Sequence, residues 1–220
     1  MTAARFAAWP CLAAAVLLAA GCAVAPLRPV ADDPRAAFEE RAEAMARVDQ
    51  WELRGRLAVK TGRRGETISM FWRREGRRDH YINLYGPMGA GRVILTQDAG
   101  GAELRDNEGQ TYHDDSAEKL LYQVAGWRVP FQSLQHWVLG VPAPDGDYDM
   151  ELDGWGRLTS LTQNGWRIEF QEYHYIEGQD MPRRLVMNAL PGTDHIVGGS
   201  VEDEEIQVKA LIKSWEWAGN

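Results

Sequence analysis

The sequence predicts a mainly β protein: an antiparallel sheet of about eleven short strands, curved into a nearly closed barrel with helices at its mouth. From Trp51 onward, apolar and polar side chains alternate in many short segments, which is typical of strands with one buried and one solvated face. Turn signals separate these segments; the sharpest are Asn164–Gly165 and the stretch around Asn107 to Gly109. A sheet with so many strands has to close, or nearly close, to cover its apolar face.

The apolar face is clearest in the first predicted strands. The inward-facing positions with a two-residue period are Leu53, Leu57, Ile68, Met70, Trp72, Ile82, Leu84, Val93 and Leu95. Such a face is most often ordinary core, so periodicity alone leaves open whether these side chains pack together or line a ligand cavity.

Three segments have the 3.6-residue period of amphipathic helices. The first starts near Asp33 and precedes the strands. The second has Ser116 or Asp115 as its N-cap and stops at Gly126, and the third starts after Pro130. The second and third helices interrupt the run of strands and are expected to plug the mouth of the barrel.

The N-terminus has the features of a bacterial lipoprotein signal. Residues 1–21 contain a basic start and an apolar run that is too short for a settled transmembrane helix. Cys22 follows Ala-Ala-Gly, which resembles the lipobox in which the cysteine becomes the acylated first residue; an ordinary signal cleaved nearby is the alternative. We expect a flexible tether over residues 22–34 and a single domain over residues 35–220.

Composition and residue spacing argue against several functions. The net charge of −8 disfavours nucleic acid as a partner. Cys11 would leave with the signal and Cys22 would carry lipid, so no disulfide is expected. No histidine has metal-ligand spacing, and His113–Ser116 form a helix start, since adjacent residues cannot make a catalytic triad. We therefore expect no enzyme activity, no metal and no cofactor.

The segment NLYGPMGAGRV places an apolar residue at a turn. Glycine and proline mark the turn, so Pro87, Met88 and Gly89 are expected at an exposed tip. Successive odd-numbered turns of a meander lie at the same end of the sheet, so Arg63 and Arg64 should lie near Met88. The plain alternatives are that Met88 folds back onto a tryptophan and that Arg63 and Arg64 are ordinary charged residues of a turn.

These features together resemble the outer-membrane lipoprotein receptor LolB family. The matching segments, in family order, are Cys22 with its lipobox, GPMGAGRVIL, DNEGQTYHDDSAEKLLYQVAGWRVPFQSLQHWVLGVP, RLTSLTQNGW and the terminal IKSW. The resemblance implies an unclosed eleven-stranded barrel with a helical lid over an apolar cavity, lined by the nine positions named above. It also implies that the chain is lipid-anchored in the outer membrane, faces the periplasm, accepts lipoproteins from the periplasmic carrier LolA and inserts them into the inner leaflet.

The resemblance gives the exposed turn a role. Met88 occupies the place of the family's protruding hydrophobic hook, a leucine in an Asn-Pro-Leu-Gly context, and Gly86 replaces the asparagine. Met88 would then enter the membrane while Arg63 and Arg64 contact outer-membrane phospholipid headgroups. The stretch 192–205 is longer than expected for the family, and its acidic run is most simply a solvated loop. We expect a monomer; the alternative function is a lipid-anchored periplasmic scaffold without a ligand cavity.

Overall fold

The structure, a computed structural model, describes residues 29–89, 91–125, 130–191 and 206–217. The helices in these ranges are α1 (Pro34–Ala46), α2 (Ala117–Ala125) and α3 (Phe131–Trp137). The strands are β1 (Gln50–Thr61), β2 (Arg64–Glu75), β3 (His80–Tyr85), β4 (Val93–Asp98), β5 (Gly101–Arg105), β6 (Thr111–Asp114), β7 (Tyr148–Leu152), β8 (Leu158–Gln163), β9 (Trp166–Ile176), β10 (Gln179–Ala189) and β11 (Ile206–Trp217). A 3₁₀ turn over Pro87–Gly89 lies between β3 and β4.

The strands form one antiparallel sheet in the order β6-β5-β4-β3-β2-β1-β11-β10-β9-β8-β7. Strand β1 pairs with β11, so the first and last strands meet in the middle of the sheet. The edge strands β6 and β7 do not pair with each other, which leaves the barrel unclosed. The predicted mainly β class, the eleven strands and the unclosed antiparallel barrel are confirmed.

The alternation predicted from the sequence matches the observed burial. On β1, Trp51 and Leu53 are completely buried, whereas Arg54 and Arg56 of the other face are exposed. Opposite them on β2, Trp72 pairs with Leu53 and is also buried. The inner faces of the strands thus pack into one apolar core, and the outer face remains in water.

Helix α1 begins where the sequence predicts it. The Asp33 carboxylate accepts the backbone N–H groups of Arg35 at 2.8 Å and Ala36 at 3.2 Å, which satisfies two donors that the first turn leaves unpaired. Phe38 and Met45 lie on the buried face of the helix. The apolar stripe of α1 therefore packs against the barrel, as expected.

Arg41 fixes α1 to two distant segments of the chain. Its Nη2 donates to the carbonyl oxygen of Leu139, just after α3, at 2.8 Å and also to that of Asp180 on β10. The side chain is buried, and burial lowers the pKa of its guanidinium. These hydrogen bonds offset part of the cost of burying the guanidinium, and they link α1 to the segment after α3 and to β10.

Gly55 allows β1 and β11 to approach closely at an irregularity in their pairing. A Cβ at this position would lie 2.6 Å from the carbonyl oxygen of Leu211, a backbone atom of the neighbouring strand. We expect Gly55→Ala to lower the free energy of unfolding by about 1–3 kcal/mol, as measured by urea denaturation. Gly65→Ala is the matched control on β2, because its Cβ would meet only the Val59 oxygen at 3.9 Å. Equal losses for both variants would contradict this prediction.

Several features predicted from the sequence lie outside the described residues: the signal at 1–21, Cys22 and the acidic stretch at 192–205. The last part of the predicted tether is ordered on the barrel, since the N–H of Ala31 donates to the carbonyl of Gly154 at 2.8 Å and α1 begins at Pro34. In the parts of the chain that the structure describes, no helix has the length and apolar character needed to cross a membrane.

Candidate functional site

An apolar cavity of about 90 Å³ lies between the inner face of the sheet and α3. Its walls come from strands β1, β2, β9, β10 and β11 and from the segment that contains α3. The lining residues are Leu57, Val59, Met70, Trp72, Pro130, Leu134, Trp137, Val138, Trp166, Met187, Ile206, Val208, Ala210 and Ile212. This wall favours hydrocarbon, because it offers almost no hydrogen-bonding group to a polar ligand.

Three of the nine positions predicted to line a cavity do so: Leu57, Met70 and Trp72. The remaining six lie elsewhere on the apolar side of the sheet. Leu53, Ile68, Ile82 and Leu95 are buried, and Leu84 and Val93 are partly buried against the core. Whether any of the nine contacts an acyl chain stays a prediction.

Most of the cavity wall was not predicted from the sequence. The alternating residues Ile206, Val208, Ala210 and Ile212 of β11 have the same two-residue period as β1, so the signal for an inner face was present. The missing information was the pairing of β11 with β1 across most of the chain. Pairing between distant segments leaves no mark in a local pattern.

Helix α3 covers the cavity and is held by polar and aromatic contacts. The indole Nε1 of Trp137 donates to Oε1 of Gln163 at 2.9 Å. The same oxygen accepts the N–H of Ala143 at 2.8 Å, and Nε2 of Gln163 donates to the Ala143 carbonyl at 2.9 Å. At the other end of α3, Phe131 stacks on Trp72 with ring centroids 5.4 Å apart. Gln163 and Trp72 therefore attach the lid to the sheet.

The cavity is small in this arrangement. Its volume of about 90 Å³ is less than the roughly 150 Å³ of an engineered apolar cavity that holds benzene. A long hydrocarbon chain therefore does not fit beneath α3 unless the helix moves. The structure represents a closed form of the site.

His80 lies in the aromatic contact between α3 and the sheet. Its Nδ1 accepts the indole N–H of Trp72 at 3.2 Å, and its ring is 5.2 Å from that of Phe131. Burial lowers the pKa of His80 to about 4; the positive charge of Arg74 acts in the same direction, and the side chain of Gln135 opposes it. The imidazole is therefore neutral near neutral pH.

Protonation of His80 should destabilise the folded protein. Its pKa is depressed from 6.5 to about 4 on folding, so this contribution to stability is complete above pH 6.5 and is lost as the pH falls toward 4. Over this window the parent chain should lose up to about 3 kcal/mol more stability than His80→Gln, which keeps an acceptor for Trp72 but does not titrate. Urea unfolding at both ends of the window measures the difference. His113→Gln, at an exposed histidine, should behave like the parent; a His80→Gln profile identical to the parent's would disprove the assignment.

Met88 projects from the turn between β3 and β4 and is fully exposed. The turn is tight, since the N–H of Gly89 donates to the Gly86 carbonyl at 3.1 Å. Met88 has φ 56° and ψ 23°, a left-handed conformation that is costly for a residue with a side chain. Strained backbone conformations of this kind cluster at functional sites, and here the strained residue presents a fully exposed apolar side chain.

Arg63 and Arg64 lie at the same end of the sheet as Met88. The pairing of β1 with β2, β2 with β3, and β3 with β4 places the first and third turns together, as the meander predicts. Strand β3 ends at Tyr85, which lies opposite Ser69 of β2. Strand β2 extends five residues beyond this point, to Arg64, a distance of about 16 Å at about 3.3 Å per residue. The first hairpin thus projects beyond β3, and both arginines are exposed.

A hydrolase site at His113–Ser116, where the sequence already argues against a catalytic triad, has no support in the described residues. Oγ of Ser116 accepts the N–H of Lys119 at 3.4 Å, as expected for the N-cap of α2. The ammonium of Lys119 lies 3.4 Å from Asp114 and 2.7 Å from Asp115, so these carboxylates form surface ion pairs. Over the same ranges, no group of three or more His, Cys, Asp or Glu side chains is arranged to hold a metal.

Comparison with known proteins agrees with this architecture. Residues 49–215 match the model of the family described as outer membrane lipoprotein LolB. Outer-membrane lipoprotein LolB of Chromohalobacter salexigens is 36% identical over 173 residues, covering 78% of this chain and 79% of the relative. That of Marinobacter nauticus is 32% identical over 202 residues, covering 89% and 91%.

A solved structure extends the comparison to the fold. A LolA superfamily protein from Nitrosomonas europaea superposes with a TM-score of 0.53 at 11% identity, covering 86% of this chain and 96% of that one. This likeness concerns the fold alone. The chain therefore belongs to the outer-membrane lipoprotein LolB family, whose members are lipid-anchored in the outer membrane, face the periplasm and serve in lipoprotein localisation.

Proposed function

We propose that this protein accepts the acyl chains of lipoproteins from the periplasmic carrier LolA into the cavity beneath α3 and delivers them to the inner leaflet of the outer membrane. The observation that carries the proposal is the apolar cavity, walled by five strands and covered by one short helix. The protein's part is transfer, without chemical reaction or cofactor.

The physical need for such a cavity follows from the cargo. Each buried methylene contributes roughly 0.8 kcal/mol, so one long acyl chain represents on the order of 10 kcal/mol of apolar burial. Free diffusion of a triacylated lipoprotein through water is therefore too slow to be useful. A receptor has to hold the chains in a dry site and then release them to the bilayer.

Opening of the lid is the step that makes room. Helix α3 has only seven residues, and its side chains Leu134 and Trp137 occupy the space that the sheet encloses. When α3 swings out, acyl chains replace its apolar side chains against Met70, Val208 and their neighbours. Exchange of one apolar contact for another keeps the energy difference between the empty and occupied forms small, which allows the cargo to leave again.

Delivery takes place at the end of the barrel that carries the exposed turn. Val59 and Ile206 of the cavity wall lie near this end, since Ile206 pairs with Thr61 next to the first hairpin turn. Met88, between Pro87 and Gly89, enters the interface of the bilayer as the hook, while Arg63 and Arg64 contact phospholipid headgroups. The acylated Cys22 anchors the chain, which acts as a monomer.

Uptake is tested with the mature chain from residue 22 carrying Cys22→Ser, which removes only the acylation site. An environment-sensitive hydrophobic dye should brighten on binding, and palmitate should displace it. Incubation with LolA bearing a labelled lipoprotein should then move the label to this chain. A lipid-anchored scaffold without a cavity, the alternative, would show neither displacement nor label transfer.

A further inference from the structure

Five exposed cations lie at the same end of the sheet as the methionine turn: Lys60, Arg63, Arg64, Arg92 and Lys209, here called the basic collar. We propose that the basic collar recognises anionic phospholipid, so that delivery through Met88 depends on negative charge in the target membrane. This inference rests on the proposed function and adds the lipid class that the delivering end selects.

The strand pairing brings the basic collar together. Lys60 lies opposite Gln207 and Ala58 opposite Lys209, so Lys60 and Lys209 are diagonal neighbours on the outer face of β1 and β11. Arg63 and Arg64 continue along the projecting first hairpin. On the far side of the Met88 turn, the Arg92 guanidinium lies 5.7 Å from the ring centroid of Tyr85.

The charges of the basic collar are available to a ligand. None of its five cations forms an ion pair with a carboxylate in the described part of the chain. Glu66 is the carboxylate nearest in sequence to the hairpin tip. Among the residues that the structure describes these cations are unpaired, and on a chain with a net charge of −8 their concentration at the end that carries an exposed apolar side chain matches an anionic membrane surface in both charge and polarity.

The same end of the barrel is acidic on its other half. Asp106 and Glu108 lie in the turn between β5 and β6, and Asp147 and Asp149 lie at the start of β7. Pairing through β8 to β11 places the start of β7 at the level of Lys60. The described charges of the two halves therefore attract an anionic surface on the side of Met88 and repel it on the other side. Such a charge pattern orients the molecule so that the methionine turn meets the bilayer first.

Two adjacent pairs of arginines make a matched test. Arg63 lies in the turn between β1 and β2 and Arg64 is the first residue of β2, whereas the exposed Arg77 and Arg78 lie in the turn between β2 and β3, at the opposite end of the sheet. Arg63→Gln/Arg64→Gln and Arg77→Gln/Arg78→Gln remove the same charge from comparable positions. Both are made in the mature chain with Cys22→Ser.

Binding is measured by co-sedimentation with vesicles of phosphatidylcholine and phosphatidylethanolamine, with and without phosphatidylglycerol. An exposed cation near an anionic surface strengthens binding about fivefold, so Arg63→Gln/Arg64→Gln should lower the affinity for phosphatidylglycerol vesicles by about twenty-five-fold. Its affinity for the zwitterionic vesicles should not change, and Arg77→Gln/Arg78→Gln should resemble the parent. Equal losses in the two double variants, or no loss in the first, would overturn the inference.

Delivery of labelled cargo into the same vesicles separates this inference from the proposed function. Delivery by the parent chain that is equally fast with and without phosphatidylglycerol disproves the role of the basic collar and leaves the receptor function intact. If the parent accepts no cargo from LolA, the proposed function fails, while the binding comparison still decides whether the collar recognises anionic lipid.

Discussion

Met88→Glu is expected to leave uptake of cargo from LolA unchanged and to slow delivery into the membrane by about tenfold to a hundredfold. A methionine side chain gains roughly 1.5–3 kcal/mol when it leaves water, and a carboxylate at the same place loses that gain and has to be kept out of the bilayer. The two steps are measured separately, by label transfer from LolA and by label incorporation into liposomes. A loss in uptake alone would show that the turn serves carrier docking.

Two further substitutions at Met88 separate its side chain from its backbone. Met88→Leu keeps an apolar tip and should deliver cargo at close to the parent rate. Met88→Gly removes the tip and also relieves the left-handed conformation at φ 56°, so its stability should stay within about 1 kcal/mol of the parent. Slow delivery by a stable Met88→Gly variant would assign the effect to the side chain, and normal delivery would contradict the hook.

Val208→Phe is expected to abolish most of the acyl binding, with at least a tenfold weaker displacement of dye by palmitate. Val208 lies on the cavity wall, paired with Val59 on one side and Met187 on the other. A phenyl ring at this position would occupy much of a space of about 90 Å³ and would remain against the sheet after α3 has moved. The cost to stability should be at most about 1–3 kcal/mol, since the ring extends into an existing cavity.

Val93→Phe is the matched control for Val208→Phe. Val93 is also a half-buried valine on the apolar side of the sheet, but it lies on β4, outside the cavity wall. The Val93→Phe variant should therefore bind palmitate like the parent, although the sequence predicts that Val93 lines the cavity. If both variants lose binding equally, the opened cavity extends along the sheet to β4, and the wider lining predicted from the sequence is correct.

Local chemistry explains why much of the fold could be predicted. The N-cap at Asp33, the hairpin at Asn164–Gly165 and the alternation that starts at Trp51 are each set by residues within a few positions of one another. The exposed position of Met88 belongs to the same class, because the glycines and proline around it fix the turn. The position of the turn between β1 and β2, at the same end of the sheet as Met88, could be predicted from topology, since successive strands of a meander reverse direction.

The cavity wall could be predicted only in part, because it is assembled from distant strands. Leu57 and Trp72 belong to the hairpin in which alternation is clearest, whereas Met187 and Val208 come from strands more than a hundred residues later. The hydrogen bond between Trp137 and Gln163 also joins residues far apart in sequence. Neither side chain has a local signal that identifies its partner.

The sequence by itself determined the mainly β class, the three helices, the exposed methionine turn and the family resemblance, because each depends on short-range periodicity, turn chemistry or contiguous motifs. Tertiary structure alone decided which apolar residues surround the cavity, how far α3 fills it, and that Lys209 joins the cations of the first hairpin. The physical reason is the pairing of β1 with β11: contacts between the two ends of a chain are selected by the total burial of the folded barrel, and no local segment of the sequence encodes them.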